Sequence, residues 1–234
     1  MRKSLFLLIS VLLSLGWAEV PFPVIESGKV HLTEKNSPYL LETSVVFSRE
    51  DTLLIDPGVQ VFMMPYAKVL LRGSVSILGT LQKPVVFKSL DTTKSWSGIH
   101  FVSNTTPFLV QNLVVENAFR NSVTQSGGVF ESVSFINNYY GLWVNSSNQV
   151  SLKKCSFTRN RFALSVGAGS IKAESTQIFG NVFGLYIEKG GEYSGNLQLI
   201  KGNLEADIRK ETEELAGKGK TVSRSVWHRI ESSF

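Results

Sequence analysis

Apolar positions in the middle of the chain follow two superimposed rhythms. Within short runs such as Leu142-Trp143-Val144 and Leu164-Ser165-Val166 they alternate with other residues, the period of two expected of a strand with one buried face. The runs themselves then recur at a longer interval. Asn138, Asn160 and Asn181 are each followed four residues later by Leu142, Leu164 and Leu185, and six residues later by Val144, Val166 and Ile187. Extending the register outward adds Asn117 and Asn203, so the asparagines step by 21, 22, 21 and 22 residues. Three positions before them stand Val114, Phe135, Phe157, Ile178 and Ile200, all apolar.

A period of 21 to 22 residues built from short strands, with no helical pattern between them, predicts a solenoid in which each coil hydrogen-bonds to the next. Asparagine suits the sharp turn between two strands because it tolerates left-handed backbone, and its amide can bond to the same amide one coil on. Asn117, Asn138, Asn160, Asn181 and Asn203 are therefore expected to form a ladder. The period predicts one elongated all-β domain over residues 42–208, with about seven or eight coils and a shaft of roughly 35 to 40 Å at ~4.8 Å per coil. Open solenoid ends expose unpaired strands and need covers. Residues 19–41 are expected to act as an N-terminal cap or lead-in. In "LEADIRKETEELAGKGK", Leu204, Ile208 and Leu215 lie at helical spacing, which predicts a short capping helix stopping near Gly217 within a cap and tail over 209–234. Val226, Trp227 and Ile230 in that tail are expected to dock back on the shaft.

"FESVSFINNYYGLWV", "LKKCSFTRNRFALSV" and "AESTQIFGNVFGL" resemble the repeats of right-handed parallel β-helix proteins, the fold shared by pectate lyases and many secreted surface proteins. The earlier "NSPYLLETSVVFSREDTLLIDPGVQVF", "GTLQKPVVFKS" and "SWSGIHF" are similar to the opening coils of bacterial members. The likeness covers residues 27–208. It implies a right-handed, single-stranded parallel β-helix and leaves activity open, since lyases, hydrolases, adhesins and scaffolds all use this fold.

Composition and the leader narrow the setting. With 234 residues, 43% of them apolar, the chain can fill one large core without disulfides, and its single cysteine, Cys155, reads as a small buried side chain in a β-like run. Arg2 and Lys3, the apolar run from Leu5 to Leu15, and Gly16 and Ala18 form the three parts of a secretory signal peptide over residues 1–18. Cleavage would leave 22 basic against 19 acidic residues and no span across the membrane. Export, together with the lack of a dense basic stripe, argues against nucleic acid as a partner. The expected location is periplasmic, cell-surface or secreted.

Outward columns are where such a fold builds a site. Glu131, Lys153 and Glu174 fall on successive coils and read as a surface ion-pair column. Phe119, Tyr140, Phe162 and Phe183 share parity with the inward leucines, which predicts a buried aromatic stack. Trp143, Ser165 and Tyr186 should face out. Trp143 and Tyr186 are thus candidate contacts for the apolar faces of sugars. Glu116, Asn137, Tyr139, Arg159 and Arg161 at the coil corner could form a small basic and aromatic patch, and Arg159 and Arg161 are the candidate contacts for acidic groups.

Catalytic chemistry is thinly represented. The chain holds only Asp51, Asp56, Asp91 and Asp207, with none between Gln111 and Glu205, so the clustered carboxylates of a glycoside hydrolase are hard to assemble. His31, His100 and His228 are too scattered to suggest a metal site, and no cofactor motif is present. The leading expectation is a non-catalytic exported β-helix that binds or scaffolds at the cell envelope, contacting polysaccharide or another envelope protein. A polysaccharide lyase or hydrolase with an atypical site is the rival, and a structural spacer or assembly subunit the third reading.

Overall fold

The computed structural model describes residues 19–25 and 28–211. It is a parallel β-helix of about nine turns, with three faces that the chain visits in the same order in each turn. Face I stacks β1 (Val20–Pro21), β3 (Tyr39–Leu41), β6 (Gln60–Met63), β9 (Val85–Ser89), β12 (Leu113–Glu116), β15 (Ser134–Ile136), β18 (Ser156–Thr158) and β20 (Gln177–Ile178). Face II stacks β4 (Val45–Phe47), β7 (Lys68–Leu71), β10 (Gly98–Val102), β13 (Arg120–Thr124), β16 (Tyr140–Asn145), the first part of β19 (Phe162–Glu174), β21 (Phe183–Ile187) and β23 (Ala206–Lys210). Face III stacks β2 (Lys29–Leu32), β5 (Thr52–Ile55), β8 (Ser74–Leu78), β11 (Phe108–Gln111), β14 (Gly128–Glu131), β17 (Val150–Lys153), the second part of β19 and β22 (Gly191–Ser194). The ladders thus reach beyond residues 42–208 at both ends, into β1 to β3 and into β23. The leader, and the docking expected of Val226, Trp227 and Ile230, lie outside the described residues.

Inward residues form continuous columns because the strand period sends every second side chain to the axis. Leu142, Leu164 and Leu185 stack in register, as do Val144, Val166 and Ile187, and all are buried. Phe135 and Phe157 stack at 4.8 Å with planes 11° apart, and Phe101, Phe108 and Phe130 form an aromatic cluster in the coils before them. Cys155 is 1% exposed, and burial pushes its thiol up to about 12, so it is an inert packing residue.

The corner from face I to face II carries the asparagine ladder. Asn138 donates its backbone and side-chain N–H groups to Asn160 Oδ1 at 2.9 and 3.0 Å. Asn160 donates likewise to Asn181 Oδ1, and Asn181 to Asn203 Oδ1. Asn203 in turn donates both groups to Asp207 Oδ1. Each rung also gives a hydrogen to a carbonyl of the preceding coil: Val115, Phe135, Phe157 and Ile178. Asn138, Asn160 and Asn181 are buried yet satisfied, which makes the ladder a cohesive element.

Two expectations about this corner are corrected. Asn117 is not a rung, because Glu116 pairs with Ile136, which sets Asn117 opposite Asn137 and places Ala118 in the ladder column. Ala118 N accordingly donates to Asn138 Oδ1, while Asn117 Oδ1 accepts from Asn137 Nδ2. Val114 correspondingly points outward, and Val115 takes the buried place. The left-handed residue is also one position earlier than expected: Asn117, Asn137, Arg159, Gly180 and Gly202 have positive φ, and the rung asparagines do not.

A third correction concerns the end of the shaft. Residues 206–210 form a further parallel strand on β21 where the start of a capping helix was expected, while Leu215 and Gly217 lie outside the described residues. Ile208 falls in register with Leu185, so its spacing from Leu204 coincides with a helical period by accident. Near this end Tyr193 packs against the core, a short 3-10 turn spans Leu197–Leu199, and the column after Ile187 continues with an exposed charge, Lys210. A charge on an edge strand discourages another strand from adding.

Candidate functional site

Face II and the corner before it hold a concentration of outward aromatic groups, with Arg120, Arg159 and Arg161 among them. The column Tyr140–Phe162–Phe183 is stacked as expected, with centroids 4.9 and 5.0 Å apart and planes within 15°. It lies on the outside, however, not in the core. Gly141 explains this: it and Leu142 are consecutive inward residues, so the strict alternation breaks between Tyr140 and Leu142. Ala163 and Gly184 repeat the pattern, and only small residues fit there, since a Cβ on Gly141 would meet Ala163 O at 2.4 Å. Phe119 belongs to the neighbouring column, where it stacks on Tyr139 at 5.0 Å.

Trp143, Ser165 and Tyr186 share one outward column, continued by Arg209. Trp143 reaches across the next coil and donates its indole N–H to Glu188 Oε1 at 3.1 Å. It thereby lies beside Gly167, and the Arg120 guanidinium stands 5.6 Å from its ring. Ser165 is buried at 1% exposure, and its hydroxyl has no partner. Burial raises the Tyr186 phenol, helped by the carboxylates of Glu211 and Glu188. Upstream on the same column, His100 Nδ1 meets Ser122 Oγ at 2.8 Å, and burial, then Arg120 and Lys68, holds its pKa down at about 4. The imidazole is neutral at physiological pH.

Arg159 and Arg161 lie elsewhere, in a cleft of about 330 Å³ at the corner between faces I and II. Its floor is the column of Asn117, Asn137 and Arg159 with the neighbouring Tyr139 and Arg161, and a wall is supplied by Thr92, Thr93 and Ser95 from the long corner after β9. The Arg161 guanidinium stands 5.5 Å from the Tyr139 ring, a cation–π distance. The four candidate contacts therefore form two pairs, Arg159 with Arg161 in the cleft and Trp143 with Tyr186 on the open face. Tyr140 lies between them: burial raises its phenol, and Arg120, Glu188 and Arg161 all act on it.

Arg120 and Glu188 are the functional-type residues that spacing did not bring forward. Glu188 lies on the coil two beyond Trp143, at a separation of 45 residues, a distance no single repeat displays. Glu131, Lys153 and Glu174 are neighbours in register as expected, although Glu131 accepts from Gln111 Nε2 at 2.8 Å. All four aspartates are engaged in structure: Asp51 with Ser48 N, Asp56 with His31, Asp91 with Thr93 and Lys94, and Asp207 with Asn203. Among the described residues no three His, Cys, Asp or Glu side chains gather as a metal site. No helix among them is long and apolar enough to cross a membrane. Comparison of the chain with protein-family models, with curated proteins and with solved structures found no match, so the parallel β-helix stands on its ladders alone.

Proposed function

We propose that this protein is an exported, non-catalytic β-helix that binds or scaffolds at the cell envelope, and that its ligand is a polysaccharide held on face II at Trp143 and Tyr186. The observation that carries this reading is the pose of Trp143. An indole fixed at its N–H by Glu188, with the Arg120 guanidinium over its ring, is a preorganised aromatic platform, the kind that combines stacking on a sugar ring with polar groups for its hydroxyls. The stacked rings of Tyr140, Phe162 and Phe183 turn their faces to one another, so they present edges and serve as support. Engagement of every aspartate in turns, pairs or the ladder supports binding over hydrolysis, and the leader in residues 1–18 supports export.

One observation favours the rival reading of a polysaccharide lyase or hydrolase. Ile187 pairs with Lys210, so Glu188 and Glu211 follow each other on adjacent coils, and both act on the Tyr186 phenol. From the sequence alone such a carboxylate pair is hard to assemble. A glycan array run in parallel with turnover assays separates the two. The binding reading expects retention of a glycan that Trp143→Ala and Tyr186→Ala weaken together, with no chain cleavage. Depolymerisation that Glu188→Gln abolishes would replace it by the enzyme reading.

A further inference from the structure

We propose that the corner cleft of Arg159 and Arg161 is a separate binding site for an oxyanion, a carboxylate, sulfate or phosphate group on a compact polar ligand. The inference does not depend on the reading of face II, because it stands on a different set of groups.

Four observations carry it. The two guanidinium groups come from one coil, two residues apart, on either side of the rung Asn160, and both line the same cleft. Neither is ion-paired among the described residues, whose ion pairs join His31 with Asp56, Lys83 with Glu34 and Lys94 with Asp91. Two like charges lining one cleft without a counter-charge leave it positive, which favours an anion there. The Arg161 Nε–H is buried and has no hydrogen-bond partner, which leaves a charged donor in want of an acceptor. Finally, the rest of the lining is polar and mostly uncharged, with Thr92, Thr93, Ser95, Asn117 and Asn137 around it. Asp91, on the same loop as the threonines, is engaged by Thr93 N and Oγ1 at 2.9 and 2.6 Å and by Lys94 at 3.6 Å.

The parts suit an oxyanion better than a neutral sugar. Arg161 is oriented by Tyr139, so its planar fork is preorganised, and Arg guanidinium groups bind carboxylate, sulfate and phosphate through paired N–H donors. Asn117 Oδ1 accepts from Asn137 Nδ2, which fixes the adjoining amide row. A cleft of about 330 Å³ is at the small end of ligand sites, enough for one charged group and the ring or chain that carries it.

The test is calorimetry on the full chain with inorganic sulfate, inorganic phosphate, a uronic-acid disaccharide and a sulfated disaccharide, at low and at physiological salt. Arg159→Asn removes one charge with a residue that the preceding coil already uses at the same left-handed turn, Asn137, so folding is retained. Binding of at least one probe is expected at one per chain. It should weaken about tenfold in Arg159→Asn and in Arg161→Gln, and Arg161→Lys should not restore the paired geometry. The arm that binds identifies the oxyanion. In the same samples the ¹⁵Nε resonance of Arg161 should shift with the probe, a readout that a purely structural role would not give. No binding by any of the four probes, or binding unchanged in Arg159→Asn and Arg161→Gln, overturns the proposal. Neutral glycan binding lost in Trp143→Ala and intact in the arginine variants would uphold face II while leaving the cleft to be judged on the anion probes alone.

Discussion

Asn160 Oδ1 accepts two hydrogens from a single residue of the neighbouring coil, the backbone and the side-chain N–H of Asn138. The same oxygen thus closes the backbone pairing of the corner and the side-chain ladder at once. Replacing Asn160 by leucine leaves Asn138 with two buried donors lacking an acceptor, and removes the donor that serves Asn181 and Phe135. A loss of about 1 to 3 kcal/mol or more is expected, read as a lowered midpoint in urea with reversible unfolding. An unchanged midpoint would show that the ladder is not a stabilising element.

Gly141 gives a steric prediction at a different point of the same coil. An alanine methyl would press on the Ala163 carbonyl, a backbone atom that cannot move aside without breaking the ladder between β16 and β19. Gly141→Ala is expected to cost about 1 to 3 kcal/mol. Gly180→Asn is the contrasting variant: its φ is 64°, nothing lies within 4 Å of the added Cβ, and Asn137 holds the equivalent place two coils earlier. It should melt within a few degrees of the parent.

His100 makes stability fall on mild acidification. Its folded pKa is depressed to about 4 while the unfolded value is near 6.5, so between these limits the unfolded chain binds a proton that the folded chain refuses. Stability present above about pH 6.5 is therefore lost progressively towards pH 4. His100→Gln should flatten urea midpoints over that window, and the imidazole resonances of the parent should titrate near the lower value.

Asp207 acts at lower pH, with the same sign for a different reason. Donors from Asn203, backbone first and then side chain, hold its carboxyl below the ordinary aspartate value of 3.8. The stabilisation is present above that value and is lost as pH falls through the depressed one. Asp207→Asn keeps an acceptor oxygen at every pH, so the difference between parent and variant melting temperatures should change below about pH 4 and stay constant above it. A constant difference throughout would remove Asp207 from the ladder's energetics.

Much of this was legible in the chain, and the failures share a cause. The rungs at Asn138, Asn160, Asn181 and Asn203 and the leucine and valine columns repeat at nearly constant spacing, so alignment on one column aligned the others. One coil earlier the register shortens: Val114 pairs with Ser134, 20 residues on, so Asn117 falls into the turn and Ala118 into the rung. The aromatic column failed where Gly141 breaks the alternation, a local bulge that leaves the 22-residue spacing from Tyr140 to Phe162 intact. The cleft was the least legible feature. Arg159 and Arg161 follow from the repeat, but Thr92, Thr93 and Ser95 arrive from a corner more than sixty residues earlier whose length the repeat does not encode.

The ladder also has a direction. Asn138, Asn160 and Asn181 each donate to the rung oxygen of the coil that follows, and Asp207, an acceptor without hydrogens of its own, receives from Asn203 and ends the series. Excision of residues 139–160 would bring Asn138 against Asn181 with donor still facing acceptor, and duplication of the same unit would add one more such pair. The number of coils before Asp207 is consequently a free variable of the architecture, which in-frame copying can lengthen or shorten, whereas its terminus is written in a single carboxylate.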